Sequence, residues 1–326
     1  RPEVVGDFGG FAGLFDISAF KTMTNPLLAT STDGVGTKID VARRMDVHNT
    51  VGIDLVAMVV DDLVVCGAQP LFMTDYIAVG KVHPERVAAI VTGIAKGCEI
   101  AGCALVGGET AEHPGLLGID DYDIAGAGTG IVDAVNLLGP DRVVVGDVAI
   151  AIGSSGLHSN GFSLARHVAF NIAGLDVHDH VSEFGRTLGE ELLEPTKIYA
   201  KDILNLISAI EVHSISHITG GGIAANVARV LPSDLALDLD RSTWTPQAIF
   251  NWLQTRGNIS QAEAEKTFNM GIGMLVFVPA SVVQLAITSL QASGQSAWVC
   301  GEVRKRGANE QGDAKAKGGN GGAVTL

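Results

Sequence analysis

Along the chain, apolar residues fall into short runs separated by polar, glycine-rich breaks. Pro26 to Ser31 predicts a strand that stops at Thr32-Asp33-Gly34-Val35-Gly36-Thr37-Lys38. From Thr50 to Cys66 nearly every position is apolar apart from Asp54, Asp61 and Asp62, which predicts a helix buried on most sides and ended by Gly67-Ala68-Gln69-Pro70. Leu71 to Val79 is the next strand. Pro84 then opens a helix with apolar positions at Val87, Ile90, Val91 and Ile94, the proline standing at a tolerated first-turn site. Ala104 to Val106 is a strand running into Gly107-Gly108-Glu109-Thr110, and Tyr122 to Val132 is another. Strands and helices thus alternate through this first part, whereas Val4 to Gly13 is too rich in glycine for a helix and is expected to be a flexible loop.

A turn cluster, Gly139-Pro140-Asp141, lies between two apolar runs and marks a domain boundary within Leu137 to Gly146. Beyond it, Asp147 to Ile152 predicts a strand, Gly153 to Gly161 a polar glycine loop, and Phe162 onward a helix. A further strand-loop-helix unit reads His213 to Ile218, Thr219-Gly220-Gly221-Gly222, then Ile223 to Leu231. Met274 to Val278 and Ala297 to Val303 are expected as late strands. Gly307 to Gly322 has no apolar pattern and is expected to be mobile. The expected organisation is a domain over 1–136, a second over 137–306 and a low-complexity tail over 307–326.

Composition narrows the class. The 326 residues are 47% hydrophobic, 18% charged and 5% aromatic, with 41 glycines and a mean hydropathy of +0.30. The cores are therefore built from small aliphatic side chains over tight turns, and global disorder is excluded. Lys plus Arg is 22 against 36 Asp plus Glu, for a formal charge of −14 and a pI of about 5.0. That balance argues against a nucleic-acid partner or an anionic membrane surface. Any polyanionic ligand must be met locally, by metal ions, backbone N–H groups or a few placed cations. Cys66, Cys98, Cys103 and Cys300 form neither a C-x-x-C pair nor a zinc spacing, which fits a reducing cytoplasm. No opening stretch has a signal-peptide pattern, and the apolar run Met274 to Ile287 is interrupted by Pro279, so a soluble, cytoplasmic protein is expected.

Asp54 and Asp61 are seven positions apart, nearly on one helical face, with Asp62 roughly 100° further round. Carboxylates in such surroundings are costly unless paired, hydrogen-bonded or bound to a cation. Asp33 and Glu109 each follow a strand beside glycines, and hard oxygen ligands at turns suit Mg²⁺. For either residue alone an ordinary turn is the better account. Neither the P-loop nor the G-x-G-x-x-G pattern is present around Gly34 to Lys38. The loops Ser154-Ser155-Gly156-Leu157-His158-Ser159-Asn160-Gly161 and Thr219-Gly220-Gly221-Gly222 each join a strand to a helix and can present N–H groups to an anion.

Taken together, Thr32 to Lys38, Gly52 to Met58 running into Asp62 to Pro70, Gly107 to Glu112, Ser154 to Gly161 and His217 to Gly222 resemble the aminoimidazole ribonucleotide synthetase (formylglycinamidine cyclo-ligase) family. Phe250 to Gln254 and Thr267 to Gly271 extend the likeness. The resemblance implies a PurM-like α/β fold of two domains, the first pairing its mixed sheet with a second subunit into a barrel-like homodimer core. It also implies ATP-dependent ring closure of formylglycinamidine ribonucleotide, in which the formyl amide oxygen is phosphorylated and then displaced. Carried over by motif, Asp33, Asp62 and Glu109 look like Mg²⁺–ATP ligands, with Gly34, Gly36, Asp54 and Asp61 on the nucleotide side and Lys38 a positive charge near phosphate. His158 and Asn160 look like substrate-side groups, and Gly220, Gly221 and Gly222 like a phosphate cradle. The family more often has Asn where this chain has Asp61. Its members usually begin some tens of residues earlier, with a lysine-bearing segment over the ATP phosphates, so a chain starting at Arg1 is expected to bind or turn over nucleotide weakly. Selenophosphate synthetase would need a reactive residue before Cys66, hydrogenase maturation relatives end in a cysteine, and the His158-Ser159-Asn160 loop favours the cyclo-ligase over thiamine monophosphate kinase. A regulatory paralogue without turnover is disfavoured by the presence of Asp33, Asp62, Glu109 and His158.

Overall fold

The computed structural model describes residues 1–6 and 10–326; Asp7, Phe8 and Gly9 of the expected N-terminal loop lie outside the described residues. Two compact units result: Arg1–Leu137 with Ile198–Lys201, and Leu138–Lys197 with Asp202–Leu326. The glycine-rich start is not wholly irregular, because Val4–Val5 pairs with Leu14–Phe15 as a small antiparallel ribbon.

In the first unit the principal elements are β1 (Pro26–Gly34), α1 (Lys38–Met45), α2 (Asn49–Val64), β2 (Gln69–Val79), α3 (Pro84–Ala101), β3 (Ala104–Glu112) and β4 (Tyr122–Asp133). The sheet order is β1-β4-β2-β3, antiparallel except for the β2–β3 pair. Helices α2 and α3 pack closely through glycine: a Cβ on Gly93 would sit 1.9 Å from Asn49 O, and one on Gly52 2.4 Å from Ile90 O. Alternation then sorts the strands into two faces. Leu71, Met73, Ile77 and Val79 of β2 are buried, and a Cβ on Gly126 of β4 would meet Met73 and Leu55, so this face lies under α2. On the other face Leu28, Thr30, Thr32, Thr74 and Tyr76 are exposed, Leu28 at 71% and Tyr76 at 40%.

The second unit contains β5 (Asp147–Gly153), α4 (Phe162–Arg166), β6 (Ser214–His217), α5 (Gly222–Ala228), β7 (Leu235–Leu239), α6 (Ala248–Gly257), α7 (Gln261–Thr267), β8 (Ile272–Pro279), α8 (Val283–Ala292), β9 (Ala297–Lys305) and β10 (Ala323–Thr325). Its six strands run in the order β6-β8-β5-β9-β7-β10. The central strands are almost wholly buried, which is why they read as unbroken apolar runs.

Two expectations are corrected. The strands bearing Asp33 and Glu109 run further than the apolar pattern indicated, so both residues lie within strands rather than after them; ladder hydrogen bonds continue past the last apolar side chain. The mobile-tail expectation for 307–326 also fails at its end. β10 pairs in parallel with β7, Ala236 opposite Ala323 and Asp238 opposite Thr325. Arg304 reaches Glu310 at 2.6 Å and Asp238 at 2.7 Å, and Gly322 N–H donates to Leu231 O. A glycine-rich sequence without apolar periodicity is held here by backbone pairing and ion pairs.

Candidate active site

In the first unit, register and parity place the acidic residues. Asp33 of β1 pairs with Gly126 of β4, Gly126 with Asp75 of β2, and Asp75 with Gly108 of β3, so these four form one row across the sheet. Paired residues share a face, and Asp33 and Asp75 therefore stand on the α2 side. Asp33 Oδ1 accepts the N–H of Gly34 at 2.7 Å. Glu109 pairs with Tyr76 and belongs to the opposite, open face, on the strand at the far edge. Three strand spacings separate β1 from β3, about 14 Å. Asp33 and Glu109 of one chain are thus not brought together, and among the described residues no group of three or more His, Cys, Asp or Glu is placed to hold a metal ion. Asp33 and Glu109, which the apolar pattern treats alike, lie at different edges and on different faces of the sheet.

Lys38 and Asp54 form an ion pair. Lys38 Nζ lies 2.9 Å from Asp54 Oδ1, with both side chains fully buried. This lysine compensates the inward carboxylate of the apolar helix α2. Asp61, also fully buried, accepts the backbone N–H of Tyr199 through both oxygens, at 3.1 and 3.2 Å. This bond ties Tyr199, in the segment Ile198–Lys201, to α2 within the first unit. Asp62, next along α2, is exposed. Gly34 closes β1 and Gly36 takes a left-handed φ of 68° before α1.

Asp75 was not singled out from the sequence. Burial pushes its carboxyl pKa from 3.8 up to about 6, and its Oδ1 fills the space a Cβ on Gly108 would need. The signal was available: an acid stands at an inward parity among Leu71, Met73, Ile77 and Val79.

In the second unit the two predicted loops do meet. His158 is 1% exposed and holds a left-handed φ of 60°, uncommon without glycine. Its Nε2 accepts the N–H of Ser155 at 3.2 Å, so the proton of the neutral ring sits on Nδ1. A Cβ on Gly220 would lie 3.2 Å from Asn160 Oδ1, which places the glycine loop against the His158 loop. Asn226, 2% exposed, donates from Nδ2 to Thr219 O at 3.1 Å and to Gly222 O at 2.8 Å, with Gly220 O at 3.4 Å. Turning the Thr219 and Gly220 carbonyls inward turns the N–H groups of Gly220 and Gly221 the other way, as a planar trans peptide requires. Beside Gly221 lies a cavity of about 170 Å³ lined also by Arg241, Lys266 and Asp313.

Asn269, a second residue missed from the sequence, clamps the start of the His158 loop. Its Nδ2 donates to Gly156 O at 2.8 Å, and its Oδ1 accepts from Gly271 N at 2.8 Å and from Ser154 Oγ at 3.2 Å. A lone Asn in Thr267-Phe268-Asn269 carries no local sign of that role.

A mixed sheet with helices on one face, together with a second α/β unit carrying two glycine loops that each lead into a helix, defines a two-domain α/β protein class. Residues 14–132 match the family described as AIR synthase related protein, N-terminal domain, and residues 144–311 its C-terminal domain; the chain belongs to this family. It is 48% identical over 310 residues to the phosphoribosylformylglycinamidine cyclo-ligase of Trichlorobacter lovleyi, covering 95% of this chain and 88% of that one. The cyclo-ligase of Brevibacillus brevis is 48% identical over 304 residues, 93% and 88% of the two chains. The fold is shared with thiamine-monophosphate kinase from Stenotrophomonas maltophilia K279a, at TM-score 0.69 and 17% identity over 99% of this chain and 92% of that one. It is shared too with hydrogenase maturation protein HypE in complex with ATP, at TM-score 0.64 and 17% identity over 91% and 81%. Among the described residues no helix is long and apolar enough to cross a membrane.

Proposed function

We propose that this chain catalyses the ATP-dependent ring closure of formylglycinamidine ribonucleotide to 5-aminoimidazole ribonucleotide, with release of ADP and phosphate. The observation that carries this reading is the 48% identity, across nearly the whole chain, to proteins named phosphoribosylformylglycinamidine cyclo-ligase. An amide carbonyl is a poor electrophile with a poor leaving group. Transfer of the terminal phosphoryl group of ATP to the formyl oxygen remedies both; a substrate nitrogen then attacks that carbon, the C–O bond breaks and phosphate departs.

In this scheme the first unit serves the nucleotide. Magnesium would arrive with the triphosphate, as an ion that keeps its waters and needs only one or two protein carboxylates. Asp33 and Asp62 are the residues we assign to it, with Gly34 and Gly36 letting the backbone approach. The second unit serves the ribonucleotide. Asn160 orients it, Gly220, Gly221 and Gly222 offer N–H groups to phosphate, and His158 holds the mobile proton at Nδ1, where the departing phosphate can take it.

The exposed face of the first sheet supports a homodimer, with a second copy covering Leu28 and Tyr76. Glu109 stands on that same face and in such a dimer would serve the partner copy's nucleotide rather than its own chain's. A reducing, cytoplasmic setting accords with the four free thiols.

The test is a coupled assay. ADP release that depends on formylglycinamidine ribonucleotide, with a new imidazole product, is expected; ATP binding without such turnover would replace this reading with that of a regulatory nucleotide-binding protein.

A further inference from the structure

The C-terminal end of α3 brings two cysteines together. Gly102 follows the helix at a left-handed φ of 78°, and two backbone bonds close the turn. Gly102 N–H donates to Cys98 O at 2.8 Å, and Cys103 N–H donates to the same oxygen at 3.1 Å. In a Schellman closure of this kind the first and last residues set their side chains against each other, and here those residues are Cys98 and Cys103. The main-chain bond between them holds their Cα atoms in about the 4.4–6.8 Å range that a disulfide spans.

Both thiols are free, 3% and 6% exposed, and they share a hydrogen bond. That bond raises the Cys98 pKa, with burial adding to the effect, and lowers that of Cys103 against the opposing pull of burial. Cys98 is therefore the donor, and Cys103 is the sulfur readier to become a thiolate. Two cations stand over the turn. Arg1 Nη1 donates to Gly102 O at 2.5 Å and Lys201 Nζ to Glu99 O at 2.9 Å, and both charges favour a thiolate at Cys103. A Cβ on Gly102 would lie 3.0 Å from Lys201 Cε, so the lysine stem rests on the turn itself. Cys66 and Cys300 have no such setting, and burial pushes their thiols up, Cys300 to about 12.

We propose that Cys98 and Cys103 form a redox-modification site, a dithiol that a hydroperoxide converts reversibly to an intramolecular disulfide. The Cys103 thiolate attacks one peroxide oxygen, the O–O bond breaks, and the departing hydroxide leaves as water with the proton that Cys103 released. Cys98 sulfur then attacks the sulfenic sulfur of Cys103; the S–O bond breaks, and the hydroxide carries off the Cys98 proton as a second water. Two electrons pass from the sulfur pair to the peroxide. The product ties the last turn of α3 to the residue preceding β3, whose first position, Ala104, pairs with Phe72 of β2. A thiol reductant reverses the step by exchange.

The test exposes the full chain, reduced and then freed of reductant, to hydrogen peroxide under native conditions, followed by alkylation in denaturant and peptide mass mapping. A Cys98–Cys103 cross-link lighter by two hydrogens is expected, with Cys66 and Cys300 still alkylated and both lost thiols restored by dithiothreitol. In Cys98→Ser the reaction should stop at a Cys103 sulfenic acid that dimedone traps, whereas Cys103→Ser should leave Cys98 a thiol. Retention of both thiols at Cys98 and Cys103, whether or not half-buried Cys66 is oxidised, overturns the proposal. So does a wild-type Cys103 carried to sulfinic acid without a disulfide, or a cross-link to any other cysteine. If the serine variants do not fold, the wild-type map decides alone by the same outcomes.

Discussion

Lys38 Nζ and Asp54 Oδ1 are 2.9 Å apart, and neither side chain is exposed to solvent. Removing one partner of a buried pair strands the other charge, at a cost of about 3–5 kcal/mol. Lys38→Met is therefore expected to lower the urea midpoint sharply, and the Lys38→Met, Asp54→Leu double variant to recover part of the loss. A Lys38→Met protein with a wild-type midpoint and weakened ATP binding would return the lysine to the nucleotide.

Asp75 predicts a pH dependence. Its folded carboxyl titrates near 6, above its ordinary 3.8, so between those values the folded chain holds a proton the unfolded chain has released. Stability from this group is present at low pH and falls as pH rises through that window. Asp75→Asn should raise the melting temperature at about pH 7.5, with a smaller gain near pH 5. The effect is about 1 kcal/mol once solvent screening of a partly exposed carboxyl is allowed for, or roughly 2–4 °C. An equal gain at both pH values would show that ionisation is not the cause.

Gly220 and Gly222 should respond differently to alanine. A Cβ on Gly222 would lie 1.8 Å from Glu265 O, and its φ is 75°, so Gly222→Ala is expected to unfold or grossly destabilise the second unit. On Gly220 the new methyl meets the Asn160 side chain at 3.2 Å. Gly220→Ala should melt near wild type yet lose roughly 10- to 100-fold in kcat, because Asn160 is displaced. Equal activity in Gly220→Ala and wild type would take Asn160 out of the reaction.

Asp61 accepts from the Tyr199 N–H, a bond that an amide oxygen can keep. Asp61→Asn should fold normally, whereas Asp61→Leu leaves a buried donor unsatisfied at about 1–3 kcal/mol. Chemical denaturation measures both. A Leu variant of full stability with a raised KM for ATP would assign Asp61 to the nucleotide after all.

Much of the architecture was legible in linear order. Helix α2, the alternating β2 and the unbroken apolar β5 and β8 declare themselves through periodicity, because burial of one face or of both is written into neighbouring positions. Loop positions were legible for the same reason, since glycine and polar clusters interrupt those periods. Partners were not. Lys38 finds Asp54 from 16 positions away and Asp61 finds Tyr199 from 138, distances over which no local preference operates.

Asp33 and Glu109 make the division plain. Both are acids beside glycine just past an apolar run, and the amino-acid order treats them alike. Strand order β1-β4-β2-β3 and the pairing register send one to the α2 face at one edge and the other to the open face at the opposite edge. Local chemistry settles which elements form and which side chains are available; long-range pairing, a property of the whole sheet, settles which of those side chains can ever act together.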